Sequence, residues 1–211
     1  MTRAIGLLAA LLCAPLPAAA HPHIFVDTAL RLIVDDAGQA TGVEVRWTYD
    51  AHYSRLTFED MALDRDQDGT LDAAELTQLE GFDMRWIAGF AGDTYLWAGE
   101  RPVPLGPPQP VATDVSDGMI TSVHIRSFDP LPPDALVLKA FDPEYYTYYA
   151  LEGGVEVPDS CQAEVDAADT GAAERLLASL LGGRDPEMVV DFPKVGAAFA
   201  DTVHIRCADP S

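Results

Sequence analysis

Residues 29–47 read ALRLIVDDAGQATGVEVRW and contain two runs in which apolar residues alternate with other residues. Val43, Val45 and Trp47 mark the second run, and DDAG at 35–38 between the runs is typical of a tight turn. Alternation with a period of two places the apolar side chains on one face of a strand. The stretch therefore predicts a β-hairpin.

The segment that follows the hairpin has helical character. Residues 52–63 lack Gly and Pro, and residues 75–90 place apolar side chains near one face of a helix. That face comprises Leu76, Leu79, Phe82, Trp86 and Phe90. Together the two segments predict a helical insert over residues 52–90, with a loop at residues 64–75.

Strand patterns return after residue 94. Residues 101–110 hold five prolines and predict a loop or a sheet edge, because proline cannot donate a ladder hydrogen bond. We expect an α+β fold: a mainly antiparallel β body with an inserted helix-loop-helix and one or two further helices. Further strands are predicted at 119–128, 135–141, 145–151, 161–165 and 203–207, and further helices at 172–181 and 194–200.

The composition is that of a globular protein with a large acidic excess. Of 211 residues, 34 are Asp or Glu and 13 are Lys or Arg, which gives a formal net charge of −21. A basic nucleic-acid-binding surface is excluded, because phosphate binding requires clustered cations. The acidic excess favours cation binding and solubility.

The first twenty residues have the pattern of a signal peptide. Arg3 supplies a positive charge, residues 5–16 are largely apolar, and Ala18-Ala19-Ala20 is a small-residue cleavage pattern. We predict cleavage after Ala20, which leaves residues 21–211 as a single exported domain. No later run reaches the ~18 apolar residues of a membrane span, so we expect no span after cleavage.

Two cysteines remain in the predicted mature chain, Cys161 and Cys207. In an exported protein, an even number of cysteines most simply forms disulfides. We therefore expect one disulfide between them. A metal-binding pair or two free thiols is the alternative, although neither cysteine has a second ligand in C-x-x-C spacing.

Residues 64–75, DRDQDGTLDAAE, fit the twelve-residue EF-hand calcium loop. Gly69 allows the sharp turn, and Leu71 is the apolar residue expected to anchor the loop to the core. Carboxylates this dense repel one another unless a cation lies among them. The predicted calcium ligands are Asp64, Asp66, Asp68, the Thr70 carbonyl, Asp72 and Glu75.

The alternative for this segment is a solvated acidic linker between two helices. Magnesium is a weaker competitor for the loop, because it resists dehydration and disfavours cages made only of protein ligands. Only one such loop is visible in the sequence, whereas sensor EF-hands usually occur in pairs. We therefore expect a structural calcium site that orders the helical insert.

Cleavage after Ala20 would begin the mature protein with His21-Pro22-His23. An α-amine and two imidazoles suit Ni²⁺, Co²⁺, Cu²⁺ or Zn²⁺. Pro22 has no amide proton to lose, which excludes the amino-terminal copper/nickel geometry that needs that nitrogen. The alternative is a frayed terminus that only leads into the first strand. The further histidines His52, His124 and His204 could join such a site, and no motif assigns them a role.

Two other patterns favour structural interpretations. Val-His-Ile-Arg occurs at 123–126 and again at 203–206, and both copies are interpreted as amphipathic strands. The tyrosine-rich segment 145–149 is interpreted as an aromatic strand that covers the core. No nucleophile, phosphate-loop or metalloprotease motif accompanies these segments.

At the level of whole segments, the sequence resembles the domain of unknown function 1007 family. That resemblance implies a bacterial periplasmic protein, the periplasmic component of an uncharacterised ABC-type transport system linked to nickel/cobalt permeases. The resemblance implies metal handling and favours His21 and His23 as the metal ligands. The resemblance extends over residues 21–207 and is carried by HPHIFVD at 21–27, VRWTYD at 45–50, the DxDxDG loop, FDPEYY at 141–146, Cys161 and Cys207.

We therefore expect a periplasmic accessory protein that binds a transition metal for an inner-membrane permease and carries a structural calcium loop. Its role would be binding, without catalysis. One alternative is a calcium-stabilised module that recognises a protein or glycan and has no transition-metal role. Another is a copper redox enzyme that uses His21 as a ligand.

Overall fold

The computed structural model describes residues 22–208, which form ten strands, four α-helices and one short 3-10 helix. The predicted signal peptide and His21 lie outside the described residues. Strands β1, Ile24–Val34, and β2, Ala40–Tyr49, form the predicted hairpin, with Leu30 opposite Val45. Among the described residues, no helix combines the length and the apolar character needed to cross a bilayer.

The other elements largely follow the predicted pattern. The predicted helices at 52–63, 172–181 and 194–200 and the predicted strands are confirmed, with shifts of a few residues at their ends. In chain order the elements are α1 Ala51–Met61, α2 Ala73–Leu79, β3 Thr94–Ala98, β4 Arg101–Val103, β5 Gln109–Ser116, β6 Met119–Leu131, β7 Leu136–Ala140, β8 Thr147–Glu156, β9 Cys161–Asp166, α3 Thr170–Leu181, the 3-10 helix Pro186–Met188, α4 Gly196–Phe199 and β10 Thr202–Cys207.

The strands form two five-stranded sheets. The first has the order β5-β6-β2-β1-β8, with β1 and β8 parallel and the other pairs antiparallel. The second has the order β4-β3-β7-β10-β9 and is antiparallel. Leu30 and Val43 from the first sheet and Leu138 and Ile205 from the second belong to one buried core. The α+β class is confirmed.

The proline-rich residues 101–110 lie at sheet edges, as predicted. They supply β4, the edge of the second sheet, and the start of β5, the edge of the first. One side of an edge strand has no partner strand, so a proline there can place its missing N–H where no neighbouring strand needs a donor.

The helix predicted at residues 75–90 is wrong beyond Leu79. The backbone of Glu80 is extended (ψ 124°) and Gly81 has φ +65°, which ends α2 after seven residues. Phe82 and Trp86 still pack against the core, but from an irregular segment. Their spacing resembles that of a helix face because both side chains point towards the core. The backbone between them is irregular and places Asp83 in contact with β2 and β6.

The tyrosine-rich strand begins later than predicted, at Thr147. Tyr145 has φ +58°, and Asp142 accepts hydrogen bonds from the N–H groups of Tyr146 and Thr147. These contacts form a turn that precedes the strand. Tyr149 is buried as predicted.

Candidate functional site

The acidic loop is held at both ends by helix caps. Ala62, in the left-handed conformation with φ 55°, ends α1. Asp72 is the N-cap of α2, and its carboxylate accepts hydrogen bonds from the N–H groups of Ala74 and Glu75. Glu75 in turn accepts from the Asp72 N–H at 3.0 Å, completing a capping box. The position of the loop between the helices is therefore encoded locally.

Within the loop, the first carboxylate points inward. Asp64 accepts hydrogen bonds from the N–H groups of Asp68 at 3.0 Å and Gly69 at 3.2 Å. Gly69 has φ +78°, the conformation that glycine adopts without strain. Hydrogen bonds from the Thr70 hydroxyl and N–H lower the pKa of Asp68 below its ordinary value. Leu71 packs against the core, as predicted.

The loop gathers hard oxygen donors. Asp64, Asp66 and Asp68 each offer a carboxylate oxygen, and these oxygens lie within 4.8 Å of one another. A cavity of about 390 Å³ brings the remaining predicted ligands together with two of these carboxylates. Its lining comprises Arg65, Asp66, Asp68, Thr70, Leu71, Asp72 and Glu75, of which Arg65 is the one cationic residue.

This donor set fits calcium. The ion takes six to eight oxygen ligands from carboxylates and carbonyls. The hydrogen bonds that Asp72 and Glu75 accept do not exhaust their lone pairs, because each ionised carboxylate has about four acceptor positions. Thermodynamically, a divalent ion would also relieve the repulsion among carboxylates that lie this close together.

The described histidines lie in separate places. His23 is exposed, donates its N–H to the Tyr146 carbonyl at 2.8 Å and packs its ring 4.6 Å from the Tyr146 ring. His52 is exposed in the first turn of α1, and His204 lies 3.2 Å from Asp166 on the surface. Within residues 22–208, the acidic trio of the loop is the one group of three or more potential ligands close enough to share an ion.

The two Val-His-Ile-Arg copies have opposite environments. In β10, Val203 and Ile205 are buried and Arg206 is exposed, as predicted for an amphipathic strand. In β6 the prediction is wrong: His124 is 0% exposed and Arg126 is 4% exposed. The Arg126 guanidinium donates to the carbonyls of Ala91, Leu105 and Gly106 and lies 4.5 Å from the Trp86 ring. The segment between α2 and β5 covers β6, so its polar face is enclosed.

Sequence reasoning missed a second cluster of carboxylates. Asp83 accepts hydrogen bonds from the Tyr49 hydroxyl at 2.8 Å and from Ser122. Asp93 accepts from the Tyr149 hydroxyl at 2.9 Å. Both aspartates line a cavity of about 280 Å³. No local pattern signals this arrangement, because its members come from β2, β6, β8 and the irregular segment 80–93.

Burial shifts the ionisation of this region. Desolvation raises the pKa of Asp93 to about 7, against the opposing hydrogen bond from Tyr149. It also raises the pKa of Asp83. Desolvation and then the nearby positive charge of Arg126 lower the pKa of His124 to about 4.

The expected disulfide is confirmed. Cys161 and Cys207 are bonded, with their Cα atoms 3.9 Å apart. They are directly opposite partners in the antiparallel pair β9–β10. The alternatives of free thiols and a metal-binding pair are therefore wrong.

Comparison with known proteins gives a family and no function. A search of curated proteins finds no match to this sequence. Residues 6–207 match the family described as "Protein of unknown function (DUF1007)", which covers nearly the whole chain. The chain therefore belongs to the DUF1007 family.

Proposed function

We propose that this protein is an extracytoplasmic metal-binding accessory of a metal transport system, with a structural calcium ion in loop 64–75. The calcium site is supported best by one observation: the mutual approach of the Asp64, Asp66 and Asp68 oxygens within 4.8 Å. The Cys161–Cys207 disulfide is consistent with an oxidising compartment.

The calcium ion would stabilise the helical insert. Loop 64–75 connects α1 to α2, and α2 has only seven residues. A helix of that length is marginal without external support. An ion that binds oxygens at both ends of the loop would fix the entry to α2. Extracellular calcium modules work with dissociation constants of about 10⁻⁴–10⁻³ M.

Calorimetry tests the calcium site. Protein treated with a chelator is titrated with calcium, alongside Asp64→Asn and Glu75→Gln. We expect each substitution to weaken binding by about tenfold or more, because a neutral amide replaces a charged ligand. Asp36→Asn, an exposed change in the β1–β2 turn, removes the same charge and serves as the control. Calcium binding that Asp64→Asn and Glu75→Gln leave unchanged would refute the site.

The transition-metal role rests on His21 and His23 at the predicted mature N-terminus and on the transport context that the family resemblance implies. Imidazoles and an α-amine favour Ni²⁺, Co²⁺, Cu²⁺ or Zn²⁺ over calcium. The accessory would bind the metal and pass it to an inner-membrane permease, without a chemical step.

An untagged protein that begins at His21 is required for the test, because a tag would block the amine. Titration with the four metals should show binding that is lost in a variant lacking residues 21–23 and retained in His52→Ala. Metal analysis of the protein purified from the periplasm identifies the metal. Equal affinities with and without residues 21–23 would remove the transition-metal role and leave the calcium site standing.

A further inference from the structure

A partly open cavity of a different chemistry lies between the first sheet and the irregular segment 80–93. Its volume is about 280 Å³. Half of its ten lining residues are aromatic: Trp47, Tyr49, Tyr53, Phe90 and Tyr149. Phe90 is 41% exposed and therefore lies towards the mouth of the cavity.

Two carboxylates in this cavity each have one oxygen without a partner. Asp93 is only 4% exposed, and its Oδ2 accepts from Tyr149 while its Oδ1 is buried with no hydrogen-bond donor among the described residues. Asp83 has the same arrangement, with Oδ2 bound to Tyr49 and Ser122 and a buried Oδ1 that has no described partner. Unpaired buried acceptors of this kind are rare in folded proteins.

The cavity lining contains no cationic side chain. The nearby Arg126 is engaged with three backbone carbonyls and the Trp86 ring. A third carboxylate, Asp142, also lines the cavity, and its own oxygens accept N–H groups of residues 144, 146 and 147. The cavity is therefore lined by carboxyl groups and aromatic rings, and its lining contains no counter-ion.

We propose that this cavity binds a small organic cation, a protonated alkylamine, through the carboxyl groups of Asp83 and Asp93. An ammonium group donates three hydrogen bonds, and each of these carboxyl groups has one oxygen that accepts no hydrogen bond from the described residues. Aromatic faces attract cations, more strongly where water is excluded. The alkyl part of the ligand would contact the rings.

A metal ion fits this cavity less well. Among the described residues, three ligand atoms within 4.8 Å of one another occur only in the acidic loop, and the third carboxylate of the cavity, Asp142, already accepts three N–H groups. An ion would have to exchange its water shell for aromatic carbon. The inference goes beyond the proposed metal sites, since neither loop 64–75 nor His23 lines the cavity.

Calorimetry with n-butylammonium and n-butanol on the unmodified protein tests this proposal. The two probes match in length and differ in charge. We expect the ammonium ion to bind about tenfold or more tightly than the alcohol, because a hydrogen bond between charged groups is stronger than one from a neutral hydroxyl. The emission of Trp47, which lines the cavity, should shift on binding.

Variants then locate the site. Asp93→Asn and Asp83→Asn should each weaken n-butylammonium binding by about tenfold. Phe90→Leu, at the exposed mouth, should weaken it several-fold without loss of fold. Asp36→Asn should have no effect.

Three results overturn the proposal. One is equal affinity for n-butanol and n-butylammonium. Another is unchanged ammonium binding in folded Asp93→Asn and Asp83→Asn proteins. The third is binding of Zn²⁺ or Ni²⁺ that Asp93→Asn abolishes, in a protein that does not bind n-butylammonium.

Discussion

Glu75 accepts a hydrogen bond from the backbone N–H of Asp64 at 3.1 Å, so the last residue of the acidic loop is tied to the first. The second Glu75 oxygen accepts from the Asp72 N–H. One carboxylate therefore closes the loop and caps α2 before any ion is considered. Its contribution to capping and its contribution to ion binding can be measured separately.

Glu75→Gln should destabilise the protein more in calcium than in chelator. Without calcium, the weakened cap costs about 0.5–1 kcal/mol. With calcium at ~100 times the native dissociation constant, the native protein gains about 2.7 kcal/mol, whereas a variant that binds tenfold more weakly gains only about 1.4 kcal/mol. Urea denaturation followed by circular dichroism, with millimolar calcium or chelator, measures both values. If calcium raises the free energy of unfolding of the native protein and of the variant equally, Glu75 does not contribute to ion binding.

Asp93 should make the protein less stable as pH rises from about 4 to 7. Its folded pKa of about 7 exceeds the ordinary value of 3.8, so in this range only the unfolded chain releases the proton. The stability contribution is complete below pH 4 and is lost by pH 7, with a magnitude on the order of 4 kcal/mol. Relative to the native protein, Asp93→Asn should gain stability as pH rises from 4 to 8 in urea denaturation, because the opposite contribution of His124 is common to both proteins and cancels in their difference. If the free energies of unfolding of the variant and the native protein change with pH in parallel, the prediction that burial raises the pKa of Asp93 is wrong.

His124 should make the protein less stable as pH falls, the opposite of the Asp93 effect. Its folded pKa of about 4 lies below the ordinary 6.5, so the unfolded chain binds the proton first as pH falls. Stability from this group is complete above pH 6.5 and is lost as pH falls to 4, on the order of 3 kcal/mol. Relative to the native protein, His124→Gln should therefore gain stability as pH falls from 6.5 to 4. His204→Gln, at the equivalent position of the exposed copy, is the matched control and should retain the slope.

Arg126→Lys should be strongly destabilising although it retains the charge. The guanidinium serves three carbonyls and the Trp86 ring, which a single ammonium group cannot do together. Hydrogen bonds to a charged group contribute ~1.5–3 kcal/mol each, so we expect a loss of about 2–4 kcal/mol. Arg206→Lys in β10, where the side chain is exposed, should change stability by less than about 0.5 kcal/mol. Equal losses in thermal denaturation would show that burial of Arg126 is unimportant.

Removal of the disulfide should destabilise the protein substantially. Cys161→Ser with Cys207→Ser opens a loop with a sequence separation of 46 residues. The chain-entropy estimate for a loop of this size is about 4 kcal/mol. Urea midpoints of the oxidised protein, the reduced protein and the double variant provide the measurement. The reduced protein and the double variant should agree, and coincidence of all three would contradict the prediction.

Local sequence patterns predicted those features whose contacts are local. The β1–β2 hairpin depends on a turn at 35–38, and the loop at 64–75 depends on hydrogen bonds between residues at most eleven positions apart. The disulfide was predicted from the even number of cysteines that remain once residues 1–20 are interpreted as a signal peptide. The helix predicted at 75–90 failed because apolar spacing reports the direction of the core and not the backbone path.

The sequence by itself determined the acidic loop, its caps and the pairing of Cys161 with Cys207. Only the tertiary structure decided that His124 and Arg126 are buried while the identical residues at 204 and 206 face outward. It also decided that Asp83 and Asp93 meet Tyr49 and Tyr149. The physical reason is that burial depends on which distant segment covers a strand, and a four-residue sequence carries no information about that neighbour.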